Sequence, residues 1–205
     1  MKKIIVLGYG GTSRELAFLL KTNYKTDILG FLDDFSNESS VIGKLSSYSD
    51  FNKQSINFCS GLANYKKMQF RKAFLGKINV SKFYNYINPD VLMYEKAIFG
   101  KGLIIFPKCI ITNNVELGNH CLIYHNCVIS HDSTIRDYTI ISNGVIISGH
   151  VIIGENTYIG SGAVINENIE IGKNCIVASN ATVHVDIPDN SIYISKNRIL
   201  SNYYL

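Results

Sequence analysis

Tryptophan is absent from the 205 residues, proline occurs three times, and the 16 glycines are too few for a collagen-like or low-complexity chain. No apolar run approaches the ~20 residues that a membrane span requires, because Gly, Asn, Ser or His interrupts each one. Met1-Lys2-Lys3 before Ile4 to Leu7 begins like a secretory leader. Gly8 stops that stretch after four apolar residues, whereas an h-region needs roughly 7–15, so a cytoplasmic protein is expected. The five cysteines are odd in number and form no Cys-x-x-Cys pair, which argues against a disulfide framework or a zinc knuckle.

Charge is also sparse, at 18% of residues, but it is unevenly placed. Residues 1–86 hold 13 Lys/Arg against 6 Asp/Glu, residues 87–187 hold 5 against 9, and the remainder holds 2 against 1. A basic first part suits a phosphate-bearing ligand. Its cations are scattered, however, and Lys66, Lys67, Arg71 and Lys72 read as the solvated face of one helix rather than a nucleic-acid patch.

What the sequence has in abundance is a repeat. From Ile87 to Val183 every sixth residue is apolar, 17 positions without an insertion. At 46% apolar content, chance gives such a run about two times in a million per register. Four residues after many members stands a small or aliphatic residue, including Cys109, Cys121, Cys127 and Cys175, which are therefore expected to be packing thiols. Gly often follows the aliphatic member directly, at Gly118, Gly154, Gly160 and Gly172, and Gly or Asn in a turn tolerates left-handed backbone. Three six-residue units make one triangular coil of 18 residues, each coil burying its apolar column on the next. The pattern predicts a left-handed parallel β-helix of hexapeptide repeats over residues 85–205.

Residues 1–84 carry a different period. Lys3 to Leu7 reads as a buried strand, Gly8-Tyr9-Gly10-Gly11 as a tight turn, and Thr12 to Lys21 as an amphipathic helix. Asp27 to Leu32 reads as a second strand ending at Asp33-Asp34, Ile56 to Ser60 as a third, and Asn64 to Leu75 as a second helix. This is a small α/β Rossmann-like βαβ unit whose first helix N-terminus suits an anion such as a diphosphate. Ser13 occupies the third glycine position of a full dinucleotide fingerprint, so an unliganded strand-to-helix turn is an equal reading of the motif alone.

Taken together, Gly8-Tyr9-Gly10-Gly11, Phe31-Leu32-Asp33-Asp34-Phe35, Ile87-Asn88-Pro89 and Val128-Ile129-Ser130-His131-Asp132 resemble the bacterial sugar acyltransferases of the sialic-acid O-acetyltransferase type. The resemblance spans essentially the whole chain and is strongest to the enzymes that N-acetylate a UDP-linked 4-amino sugar in bacillosamine biosynthesis. It implies a homotrimer with acetyl-CoA in the groove between neighbouring β-helices, and no metal, nucleic-acid or membrane partner. It assigns the general base to His131, its acidic neighbour to Asp132, and the amide facing the thioester carbonyl to Gly149. Ser161, Ser179 and Arg198 would contact CoA; Gly10, Gly11, Thr12, Asp33 and Asp34 would contact a UDP- or dTDP-linked amino-deoxy sugar destined for a surface glycan.

The chemistry of these residues agrees. His131 falls at an outward turn, where an imidazole accepts a proton near neutral pH. An adjacent carboxylate fixes its tautomer and stabilises the imidazolium. Gly149 lies one 18-residue coil further on and is expected to stack beside it. Four departures from the family pattern stand out: Thr12 replaces a usual His, Tyr124 an Asn, and Ile140 a second His near the acetyl group. The usual Gly-x-Pro-Ala-Lys ending has become Ile194-Ser195-Lys196-Asn197-Arg198.

Competing readings are an O-acetyltransferase of sialic acid or another polysaccharide sugar, a catalytically inactive trimer, and, more remotely, a γ-class carbonic anhydrase. The last would use His120 and His125 as zinc ligands, but the third ligand position, near residue 84, is Tyr84. His150 and His184 read as surface residues.

Overall fold

The computed structural model describes residues 1–51, 55–195 and 199–201. The first part contains β1 (Lys3–Leu7), α1 (Gly11–Tyr24), β2 (Asp27–Leu32), β3 (Val41–Gly43), the one-turn α2 (Tyr48–Phe51), β4 (Ile56–Ser60) and α3 (Met68–Leu75). The strands form a parallel sheet in the order β3-β2-β1-β4. Central β1 is buried on both faces from Ile4 to Leu7, as its unbroken aliphatic run requires. The three expected strands coincide with β1, β2 and β4. The expected helix from Asn64 divides instead: the Asn64 side chain accepts the Lys66 N–H and starts a 3-10 turn over Tyr65–Lys67, and α3 follows.

Arg71 corrects the expectation of a solvated basic face. Its side chain is buried, and its guanidinium donates to the carbonyls of His120, at 2.6 Å, and Tyr138, at 2.8 Å. Arg71 therefore ties α3 to the second part of the chain.

From Tyr86–Ile87 to Thr182–Val183, two-residue strands recur every six residues. They stack into three parallel faces. The first face runs through Ile104, Leu122, Ile140 and Tyr158, the second through Ile110, Val128, Ile146 and Val164, and the third through Glu116, Thr134 and Ile152. This is the left-handed β-helix architecture that the repeat predicts. Every inward member from Ile105 to Val183 is buried, whereas Met93, in the first coil, remains 41% exposed because nothing stacks beneath it. All four repeat cysteines are buried in the column with free thiols, and Cys59 is buried in β4. Burial pushes the Cys121 thiol up to about 12.

The left-handed backbone falls at one position per unit. Lys108, Asn114, His120, Asn126, Asp132, Tyr138, Gly144 and His150 form part of an unbroken six-residue series with φ near +60°. Gly118, Gly154, Gly160 and Gly172 lie outside this series. Their smallness serves stacking: a Cβ on Gly154 would sit 2.4 Å from the Gly172 carbonyl carbon of the next coil.

The outward side chains Ile104, Leu122 and Ile140 of the first face are shielded from solvent. They join Ile4, Val6, Leu16, Leu20 and Met68 in one apolar cluster, so the α/β sheet and the solenoid share a core. At the far end, Ser191–Tyr193 extends the first face beside Ile176–Val177 and pairs antiparallel with Ile199–Ser201. No helix among the described residues is long and apolar enough to cross a membrane.

Candidate active site

The edge between the second and third faces carries the first group of candidate residues. His131 and Asp132 sit there, and Gly149 and His150 occupy the same edge one coil further on. The Asp132 carboxylate accepts from the Asn114 side chain at 2.9 Å through Oδ1, and Oδ2 lies 2.9 Å from His131 Nδ1. These two hydrogen bonds, Asn114 first, hold its carboxyl below the usual carboxylate range. The network puts the His131 proton on Nδ1 and leaves Nε2 as acceptor on a half-exposed ring. Gly149 packs directly against that ring, where an added Cβ would lie 2.6 Å from Cε1. The backbone ladder bonds the Ser148 and His150 N–H groups to Ile165 O and His131 O and skips Gly149, whose amide remains a free donor among the described residues.

The second group lines a cleft of about 330 Å³ where the α/β part meets the solenoid. Gly10, Gly11, Thr12 and Asp33 all border it, together with Phe35, Lys67, Phe70, Arg71 and Tyr124. Gly10 provides no side-chain cap to α1, so the first-turn amides remain open to an anion. Asp33 organises the rim: one carboxylate oxygen accepts the Tyr9 N–H and the other the Phe35 and Ser36 N–H groups. Burial opposes its ionisation, but these bonds outweigh it and lower its pKa. Asp34 does not border the cleft; its carboxylate accepts the N–H of Leu45, which does.

Thr12 and Tyr124, two departures from the family pattern, meet each other: their hydroxyls share a 2.6 Å hydrogen bond across 112 positions of sequence. Ile140 lies under the α/β part on the first face, away from the His131 edge. Ser161 and Ser179 occupy the edge between the first and second faces, so one chain alone does not bring them to His131. Arg198 lies outside the described residues. Sequence reading missed Phe35, Lys67, Phe70 and Arg71 as cleft residues, because their meeting depends on the domain packing. His150 is exposed, as the sequence reading expected, and its Nε2 lies 3.8 Å from Asp132 Oδ2.

His120 and His125 do not form a joint metal site. His125 Nε2 lies 3.0 Å from the Glu15 carboxylate on one edge. His120 is buried on another, between Phe83 and the stacked ring of Tyr138. Burial first, and then Arg71, push the His120 pKa down to about 4, opposed by Asp137. Unfolded His120 protonates near pH 6.5, so its contribution to stability is complete above that pH and is lost as pH falls towards about 4. We predict a loss of about 3 kcal/mol across that interval. Denaturant titrations should show a shallower acid slope for His120→Asn, a residue suited to the left-handed backbone there.

The repeat and its edge geometry define a class. Residues 114–149, 132–167 and 150–184, all within the solenoid, match the family described as bacterial transferase hexapeptide (six repeats). Curated protein sequences give no match. Among solved structures, the acetyltransferase domain of PglB from Neisseria gonorrhoeae is 24% identical, with a TM-score of 0.80 over 98% of this chain and 100% of that one. WeeI from Acinetobacter baumannii is 23% identical, with a TM-score of 0.82 over 98% of this chain and 100% of that one. A His-to-Asn mutant of perosamine N-acetyltransferase from Caulobacter crescentus, in complex with CoA and GDP-perosamine, is 18% identical. Its TM-score is 0.88 over 98% of both chains. The α/β part and the solenoid thus recur together in one architecture.

Proposed function

We propose that this protein is an acetyl-CoA-dependent N-acetyltransferase acting on the amino group of a nucleotide-linked amino-deoxy sugar. The observation that carries the reading is the His131 imidazole, held through Nδ1 by Asp132, open at Nε2 and packed against Gly149, whose N–H makes no bond in the backbone ladder. The names of the solved relatives, acetyltransferases that include complexes with acetyl coenzyme A or with CoA and GDP-perosamine, support the same chemistry.

In this reading His131 Nε2 accepts a proton as the sugar amine forms its bond to the thioester carbonyl carbon. The Gly149 N–H donates to the oxygen that becomes negative, a type of contact worth about 2.7–4 kcal/mol. Asp132 stabilises the imidazolium. When the carbon–sulfur bond breaks, His131 returns the proton to the departing CoA thiolate, and no acyl-enzyme or metal is needed. In the cleft, the first turn of α1 and Lys67 would hold the diphosphate. The exposed ring of Phe35, with Phe70 beside it, offers a stacking surface for the base.

We infer a homotrimer. The cleft and the Ser161–Ser179 edge stand on one side of the second face and His131 on the other, so a neighbouring copy is needed to close one site from both. The second face presents Leu92, Ile110, Val128, Ile146 and Val164 outward, an aliphatic row suited to burial between copies. Five buried free thiols fit the reducing cytoplasm.

The test is product mass from acetyl-CoA with a panel of UDP-, dTDP- and GDP-amino sugars. One N-acetylated product is expected; acetylation confined to hydroxyls of free sugars would overturn the reading. With the preferred acceptor, Tyr124→Phe should raise KM for the sugar about 2–10-fold through the lost Thr12 bond, with KM for acetyl-CoA unchanged.

A further inference from the structure

The His131 edge contains a third group that the proposed reaction does not use. His150 stands one coil beyond Asp132, its ring 5.2 Å from that of His131 in an edge-to-face arrangement. Its Nε2 lies 3.8 Å from Asp132 Oδ2, the oxygen that is 2.9 Å from His131 Nδ1. The ligand atoms of all three residues fall within 4.8 Å of one another, the one such His/Cys/Asp/Glu group among the described residues.

We propose that His131, Asp132 and His150 form a site for a tetrahedral divalent transition-metal ion, with Zn2+ the best fit, and that filling it switches the proposed transferase off. Zinc bonds of about 2.0–2.2 Å at tetrahedral angles place neighbouring ligand atoms about 3.4 Å apart. The observed separations of 2.9 and 3.8 Å straddle that length, so small side-chain rotations complete the site. Two imidazoles and one carboxylate leave a fourth position open to water. Asn114 already orients Asp132 through Oδ1 and frees Oδ2 to ligate, the outer support that metal sites require. All three side chains are at least one-third exposed, so an ion can enter.

The block follows from the tautomer. A neutral imidazole that binds the ion through Nδ1 carries its proton on Nε2, and Nε2 then has no lone pair for the sugar amine. The block rests on the acetyltransferase reading; the site does not.

Calorimetric titration of the chelator-treated full chain with Zn2+ tests the site, and visible absorption with Co2+ tests its tetrahedral geometry. One ion per chain is expected. His150→Asn, which suits the φ of 58° there, should weaken Zn2+ binding about a hundredfold or more. No stoichiometric binding, or equal binding by the variant, overturns the site. Zn2+ should abolish acetyl transfer by the wild type, EDTA should restore it, and His150→Asn should turn over in the same Zn2+ concentration. Binding without inhibition overturns the block. A metal-free protein with no turnover overturns the acetyltransferase reading and the block together, while calorimetry still decides the site.

Discussion

His131→Ala is expected to reduce turnover about 10²–10⁴-fold, the range that a positioned general base contributes. Binding of CoA and of the nucleotide sugar should stay within a few-fold of the wild type, because neither the cleft nor the serine edge includes this side chain. Isothermal titration with each substrate and kcat from product mass separate the two effects. The side chain is half exposed, so truncation leaves no cavity in the solenoid and folding should be unaffected. Unchanged turnover would remove His131 from the mechanism and redirect attention to an amine that loses its proton to water before attack.

Gly149→Ala is expected to cost about 10²–10³-fold in kcat while retaining every functional group of the site. The new methyl would lie 2.6 Å from Cε1, 2.9 Å from Nε2 and 3.1 Å from Nδ1 of His131, so the ring must swing away from its hydrogen bond to Asp132. The backbone of residue 149 can accept alanine, since its φ lies outside the left-handed region. Loss should therefore appear in catalysis and not in melting temperature. Because the effect passes through His131, adding Gly149→Ala to His131→Ala should reduce turnover far less than it does alone. Independent, multiplying losses would show that the added methyl disturbs the site by a route other than the imidazole.

The legible parts of the molecule are those fixed by local rules. The aliphatic period locates the solenoid strands, and alternation of strand and turn residues locates β1, β2 and β4 at their observed bounds. The pairing of His131 with Asp132 follows from adjacency, and the approach of Gly149 follows from the 18-residue coil. The same arithmetic brings His150 to Asp132, yet a lone turn histidine carries no mark of what stands beneath it. Arg71 illustrates a different limit. Its neighbours Lys66, Lys67 and Lys72 make it look like part of a solvated stripe, and only the docking of α3 on the solenoid reveals the two carbonyls that it serves. The Thr12–Tyr124 bond is hidden for a similar reason, since no periodicity relates a Rossmann-like turn to a coil 112 residues away.

The left-handed turn series also governs where new chemistry can arise on this scaffold. Each edge holds one such position per coil, and the residues that tolerate that backbone best are Gly, Asn, Asp and, less readily, His. Three of these four carry ligand or hydrogen-bonding atoms. The steric filter thus admits the side chains that catalysis and coordination use, and it stacks them at the spacing of neighbouring strands, roughly 4.8 Å. Asn114, Asp132, His150 and Asn168 form one such column. A substitution along the column changes which proton donors and acceptors face each other without asking the backbone to move. An edge of this solenoid therefore works as a rack of interchangeable functional groups, so substrate and regulation can diverge while the coil beneath them stays the same.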